Sequence, residues 1–311
     1  MPPLWKSEDL ETVACDLCGG TANTLRVVRA DGLRVVECAG CGLCYVNPRP
    51  RSDAVARLYD GEYFTKTSSG RRGVGYDAYL DGEESEGFLR ESRLRLDLAM
   101  RHVPLAGKRV LEVGCATGEV CHLVVQAGAT VLGIDLSVEI IEEARRRFPE
   151  IAFEAVPLER VRDEAGFDAI LAFEVVEHFP SPKVFFAAAG SLLRSGGYLA
   201  LSTPNCDCAR HVGWQRWLGF ARSFEHLYYL GIDQLVRYAG EARLQLLGWY
   251  TLGGYEAPRA PSPVRTAVRV LLTSLRLVSH ARWVRGVFRS DGPPFDRHGK
   301  RSDLIAVLVK P

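Results

Sequence analysis

Val110-Leu111-Glu112-Val113-Gly114-Cys115-Ala116-Thr117-Gly118 is an apolar strand that carries an acid and runs into a glycine-containing turn. Such a turn predicts a strand–loop–helix unit that brings backbone close to a nucleotide-type ligand. A dinucleotide fingerprint would read G-x-G-x-x-G over a pyrophosphate. Here Ala116 takes the middle glycine's place, and Glu112 would repel a pyrophosphate. The same acid suits a cationic amino group, as in the methionine half of S-adenosylmethionine. The next strand, Thr130-Val131-Leu132-Gly133-Ile134-Asp135, ends in a carboxylate able to accept hydrogen bonds from both hydroxyls of a ribose.

From about Leu105 to the C-terminus the chain resembles the class I S-adenosylmethionine-dependent methyltransferases. Phe167–Phe173 resembles that family's fourth strand and Glu174–Phe179 the helix start after it. Leu192–Leu201 resembles the turn into the fifth strand, and Asp303–Val309 the closing antiparallel strand. The resemblance implies an α/β, Rossmann-like fold with a seven-stranded, mostly parallel sheet and helices on both faces. It also implies that Glu112, Gly114 and Gly118 hold the methionine end of the cofactor, and Asp135 the ribose. By the same resemblance Cys115, Ala116 and Leu136 are expected as further cofactor contacts, and the Phe173 backbone is expected near the methionine amino group.

Nine cysteines without an N-terminal signal-like apolar segment argue against a disulfide scaffold. Four of them form Cys15-Asp16-Leu17-Cys18 and Cys38-Ala39-Gly40-Cys41, each knuckle followed by glycine. That spacing predicts a tetrahedral four-cysteine structural zinc site in a module over 1–50. So small a module builds little core without its metal, so it is expected to pack on the large domain. Cys44 reads as a small buried side chain, and Cys206 and Cys208 lack a partner pair. The order of knuckles, Asn47-Pro48-Arg49-Pro50, Tyr63-Phe64 and large domain resembles a bacterial subgroup of sugar, polysaccharide and natural-product pathways. It is also similar to sugar C-methyltransferases with an N-terminal zinc module.

Methyl transfer from a sulfonium is an in-line displacement that needs alignment, and a base only when the acceptor loses a proton. Glu174, Glu177 and His178 stand at i, i+3 and i+4, so a helix would put all three on one face. They resemble the E-x-x-E-H of magnesium-dependent O-methyltransferases, including ubiquinone-type enzymes and RNA 3′-end methylases. In those a further histidine follows the fifth strand, where His226 stands here. Three readings stay open: magnesium held by Glu174, Glu177, His178 and His226; a metal-free base at His178, with His226 as second choice; or a structural role.

A helical cover is expected over 51–104, with Tyr63, Phe64, Tyr76 and Tyr79 beside the acceptor or simply packed. The methyltransferase domain is expected over 105–311. Within it, an aromatic insertion at 206–239 carries Trp214, Trp217, Phe220 and Phe224, either as an acceptor pocket or as a local core. Around a basic amphipathic helix at 258–290, the stretch Ala257–Arg289 has seven arginines and no acid. Such a helix suits a cap, a peripheral membrane contact, or a phosphate-bearing or nucleotide-linked acceptor. A net charge of +1 speaks against nucleic acid. No apolar run reaches membrane-spanning length, so a cytoplasmic protein is expected. The sequence thus predicts methyl transfer from S-adenosylmethionine to oxygen or carbon of a sugar or secondary metabolite. The alternatives are magnesium-dependent O-methylation of a catechol-like acceptor and a non-catalytic cofactor-binding scaffold.

Overall fold

The computed structural model describes residues 5–54, 82–217, 219–222, 225–253, 295–296 and 302–311. Its strands are β1 (Leu10–Glu11), β2 (Asn23–Val28), β3 (Arg34–Cys38), β4 (Cys44–Val46), β5 (Arg49–Pro50), β6 (Arg109–Val113), β7 (Thr130–Asp135), β8 (Ala152–Ala155), β9 (Phe167–Phe173), β10 (Leu193–Pro204), β11 (Tyr228–Tyr229), β12 (Gln245–Leu252), β13 (Phe295–Asp296) and β14 (Asp303–Val309). The large sheet runs β13-β12-β14-β10-β9-β6-β7-β8. Seven of these strands make up the expected seven-stranded sheet, β8 and β12 being the two whose positions the sequence reading did not locate, and the two-residue β13 extends the edge beyond β12. β6 pairs in parallel with β7 and β9, and β9 with β10. β14 is antiparallel to both neighbours, as expected of the closing strand.

β9 is apolar at almost every position and buried along its length, as a central parallel strand covered on both faces must be. Alternate residues serve opposite layers. Ala169 and Leu171 pack with Leu96, Ala99, Val120 and Val124 from the helices Gly82–Met100 and Glu119–Gln126. Ile170 and Ala172 pack with Phe185, Phe186 and Leu235 from the helices Pro182–Leu192 and Ile232–Glu241. Ser137 and Ser181 cap their helices by accepting from the Ile140 and Val184 amides, both at 3.3 Å. Strand order reverses between β6 and β9, which opens a crevice at their carboxyl ends.

The N-terminal module forms a second sheet, β11-β4-β3-β2, whose strand β11 comes from the insertion. Its strands again alternate. Val36 and Tyr45 join the large core, whereas Val35, Cys44 and Val46 join a cluster with Trp5, Cys206, Cys208, Trp217, Phe220 and Tyr229. The insertion's described aromatics therefore build a local core with the module: Trp217 sits edge-on to Phe220, with ring centroids 4.6 Å apart. Tyr63, Phe64, Tyr76 and Tyr79 of the expected cover, Phe224, and the basic helix at 258–290 lie outside the described residues. Among the described residues no helix is long and apolar enough to cross a membrane.

Trp217 is 3% exposed at the seam between module and insertion. Trp217→Ala should destabilise the protein by about 3–5 kcal/mol, read as a lowered urea midpoint. Cofactor affinity, built on β6 and β7, should be unchanged.

Candidate active site

The turn after β6 is left-handed three times, at Gly114 (φ +70°), Ala116 (φ +45°) and Gly118 (φ +88°). A Cβ on Gly114 would lie 2.6 Å from Val175 Cγ2, and one on Gly118 2.7 Å from Phe153 Cζ. Both positions therefore require glycine. The Gly114 and Cys115 amides donate to Ile134 O at 2.8 and 3.0 Å and tie the loop to β7. At the end of β7, Asp135 Oδ2 accepts from the Ala116 amide at 3.2 Å and Oδ1 from the Ser137 amide at 3.1 Å. Next to it Leu136 is 66% exposed, an apolar face open to a flat ligand.

Glu112 is buried, and its Oε2 has no hydrogen-bond partner. Burial pushes its carboxyl up to about 8, and the charges of Glu119 and Asp135 add to the rise. An orphaned, buried carboxylate oxygen at the mouth of the crevice calls for a cationic partner. The arrangement of Glu112, the turn with its three left-handed residues, Asp135 and Leu136 fits S-adenosylmethionine, with an acid for an amine at one end and a carboxylate for a ribose at the other.

The segment after β9 departs from the expected helix. Only Val176–His178 is helical, a 3-10 turn, and Glu174 before it is left-handed (φ +58°). Glu174, Glu177 and His178 therefore do not share a helical face. Glu174 turns to β10, where its Oε1 accepts from Ser202 Oγ at 2.6 Å, with Arg95 Nη2 3.7 Å away. Burial pushes the Glu174 carboxyl up to about 7 while Arg95 opposes the rise. Phe173, the last residue of β9, is half-buried against the Leu96–Val120 layer.

Glu177, His178 and His226 do converge, with their ligand atoms all within 4.8 Å of one another. Glu177 is fully buried and neither of its oxygens has a hydrogen-bond partner of good geometry, although the Thr203 hydroxyl is near enough to hold its carboxyl down somewhat; His226 Nε2 lies 3.9 Å from Oε1. The two imidazoles meet edge to face at 4.6 Å, and the Nδ1 atom of each is without a partner. Burial drives the Glu177 carboxyl well above the ordinary carboxylate range, and Glu174 adds to it. Burial lowers both histidines, His226 the further of the two. A carboxylate and two neutral imidazoles with free ligand atoms form a set able to accept a divalent cation. Sequence reading passed over Glu225, a buried acid whose charge bears on His178, although it stands beside His226. Ser202 and Arg95 were also passed over, because their roles depend on where Glu174 turns.

The four knuckle sulfurs likewise lie within 4.8 Å of one another, with Cys15 and Cys41 at 3.4 Å and Cys18 and Cys38 at 3.4 Å. The Gly19 and Gly42 amides close the two turns onto Cys15 O and Cys38 O at 2.7 and 2.9 Å. The Gly20 amide lowers the Cys18 thiol to about 7. Four converging sulfurs fit a tetrahedral, thiolate-bound ion such as zinc. Cys44 is fully buried in the Trp217–Tyr229 cluster, apart from this set, with Arg210 Nη2 3.7 Å and Glu37 Oε2 3.8 Å from its sulfur.

A family model described as a methyltransferase domain matches residues 78–247. The ubiquinone biosynthesis O-methyltransferase of Chromobacterium violaceum is 34% identical over 173 residues, which cover 52% of this chain and 73% of that protein. Its namesake from Nitrosococcus oceani is 40% identical over 118 residues, covering 36% of this chain and 50% of that protein. The chain thus spans about half the length of some of the curated relatives it matches. Among solved structures, the magnesium protoporphyrin IX methyltransferase of Synechocystis PCC 6803 with bound S-adenosylmethionine has a TM-score of 0.52. At 15% identity it covers 85% of this chain and 100% of that one, and it attests the fold alone. With more than half of its length under the family model, and with a glycine turn and acids suited to the cofactor, the chain belongs to the methyltransferase-domain family and is a class I S-adenosylmethionine-dependent methyltransferase.

Proposed function

We propose that the enzyme transfers a methyl group to an oxygen of a small molecule carrying two neighbouring oxygen donors, such as a sugar diol or a catechol. The observation that carries this reading is Glu177, a buried carboxylate with both oxygens unbonded, beside two imidazoles with free nitrogens. Buried polar groups are almost always satisfied, and a divalent cation would satisfy these three together. Glu177, His178 and His226 would hold it, while Glu174 is engaged with Ser202. Two nitrogens and one carboxylate suit manganese, iron or zinc better than magnesium, which prefers oxygen ligands. When bound, such a cation supplies a Lewis acid that orients two acceptor oxygens and lowers the pKa of the hydroxyl to be methylated. The name of the relatives, ubiquinone biosynthesis O-methyltransferase, supports oxygen as the accepting atom.

The chain's own residues do the rest. Glu112 would hold the cofactor's amino group, Asp135 its ribose, and Leu136 its base. The Gly114–Val175 contact sets the cofactor loop against the turn that carries Glu177 and His178, so donor and acceptor sides meet at one crevice. Orientation of this kind is worth roughly 7–11 kcal/mol in well-aligned reactions. The four cysteines hold a structural zinc in this reading. A second reading makes His178 a metal-free base: the residue is half-buried, and burial keeps its imidazole neutral and ready to take the hydroxyl proton.

Labelled methyl transfer to catechol and to a sugar diol should require an added divalent cation, manganese above magnesium. Glu177→Gln should lower it by about 10–100-fold with cofactor affinity intact. Cation-independent turnover would sink the metal reading, and His178→Ala would then cost about 10²–10⁴-fold.

The raised carboxyl of Glu112 makes a pH-dependent expectation. Its folded pKa of about 8 exceeds its unfolded value of 4.5. Its contribution is therefore fully present below pH 4.5 and is lost as pH rises toward 8. The apo protein should lose about 1.4 kcal/mol for each pH unit crossed on this account. Glu112→Gln should flatten that slope in urea titrations and raise apo stability at pH 8, while cofactor affinity falls at least about tenfold. For the knuckles, metal analysis should find stoichiometric zinc, and Cys38→Ser should lose both the zinc and the cooperative unfolding of the module.

A further inference from the structure

We propose that Arg29, in the N-terminal module, is a positioning residue for His226, so that the cysteine module forms the back wall of the acceptor site. The proposal rests on the reading of Glu177, His178 and His226 as the acceptor side. Arg29 is the first residue after β2, at the β2–β3 turn, and its side chain is fully buried with that of Asp31. Its Nε and Nη2 donate to the two Asp31 carboxylate oxygens at 3.1 and 2.5 Å. Its Nη1 reaches across to a segment about 200 residues later, donating to His226 O at 2.7 Å and to Tyr229 Oη at 3.0 Å. A guanidinium has five donors in a rigid fork, so it can hold a carboxylate on one edge and still fix a backbone carbonyl with the other. The bond to His226 O is charge-assisted and buried, hence short and directional.

The surrounding contacts lead from the module to both histidine segments. The Val46 amide of β4 donates to Leu227 O at 2.9 Å, and the Leu227 amide donates to Glu177 O at 2.9 Å. On the His178 side, Asp16 lies inside the first cysteine knuckle. Its Oδ1 accepts from Ser181 Oγ at 2.6 Å, and its Oδ2 accepts from the Lys183 amide at 3.1 Å and Tyr238 Oη at 3.0 Å. The module thus grips the chain one residue after His226 and three residues after His178.

The test uses the whole chain loaded with zinc, a diamagnetic ion that leaves the imidazole resonances visible, and three variants: Arg29→Lys, the double variant Arg29→Met/Asp31→Asn, and His226→Gln. The double variant leaves no buried charge unpaired, and the side-chain amide oxygen introduced by Asp31→Asn can still accept from the Leu33 amide, as the native carboxylate does. Turnover of a catechol acceptor, S-adenosylhomocysteine affinity by calorimetry, and the imidazole carbon–proton resonances are measured on each, with His226→Gln assigning the His226 signal. The double variant should keep its affinity for S-adenosylhomocysteine and shift the His226 resonance. Its kcat should fall on the order of 10²-fold, the cost of roughly 1 Å of misplacement. Arg29→Lys, which keeps the charge without the fork, should restore part of that loss. An unmoved His226 resonance, or unchanged kcat in the double variant, would overturn the proposal. A parallel loss of cofactor affinity would also overturn it, as general destabilisation. Full turnover in His226→Gln would instead remove His226 from the chemistry; the acceptor-site reading would then fail on that result, and the resonance alone would say whether Arg29 holds the residue.

Discussion

Between Gly114 and Val175 there is room for a hydrogen atom and nothing larger. The left-handed turn after β6 needs that absence of a side chain. It brings the cofactor loop directly against the short turn after β9, at the point where the strand order reverses. Neither feature can shift alone: the loop is tied to Ile134 by two amides, and the turn after β9 is tied to β10 through the Glu174 amide and Ser202. Chemistry at this crevice therefore inherits its alignment from backbone packing, and the side chains around it are left to supply charge.

Much of this was legible in the sequence because it follows from short-range rules. The β6 loop is a local pattern of glycines and acids, and β9 is a run of apolar residues that suits no exposed strand. The two Cys-x-x-Cys knuckles close within a few residues of themselves. What the sequence concealed is what depends on tertiary context. Glu174, Glu177 and His178 have helical spacing, but Glu174 adopts a left-handed backbone and turns to Ser202, and a helix never forms through it. The aromatics Trp217 and Phe220 read equally well as a ligand pocket or a core. The strand pairing of Tyr228 and Tyr229 with Cys44 and Tyr45 decides for a core, and a contact between such distant parts of the chain leaves no local trace. Arg29 and Asp31 look like ordinary turn residues until the distant carbonyl appears beside them.

The site concentrates buried ionisable groups that would be costly if left alone. Glu112 and Glu177 are displaced upward by burial, and His178 and His226 downward, so in the ligand-free protein all four lean toward neutrality. Such a site repels little and attracts little until ligands arrive. A cationic amine beside Glu112 or a metal ion beside Glu177 would favour the charged carboxylate, and binding there is coupled to proton release. Ligands that paired these groups would recover the stability given up to keep them dry.

The pairing of β11 with β4 also bears on how the chain is made. Strand β4 is complete early in the chain, but the strand that covers its free edge and the aromatics that fill its inner face come from the insertion after β10. During synthesis from the N-terminus, the knuckles can close early while that edge stays bare until most of the protein has emerged. Long-range pairings of this kind form late and leave unpaired edges exposed to other chains. A metal held early by the four cysteines would keep the waiting module compact through that interval, so metal supply during translation would govern how much of the protein reaches its native state.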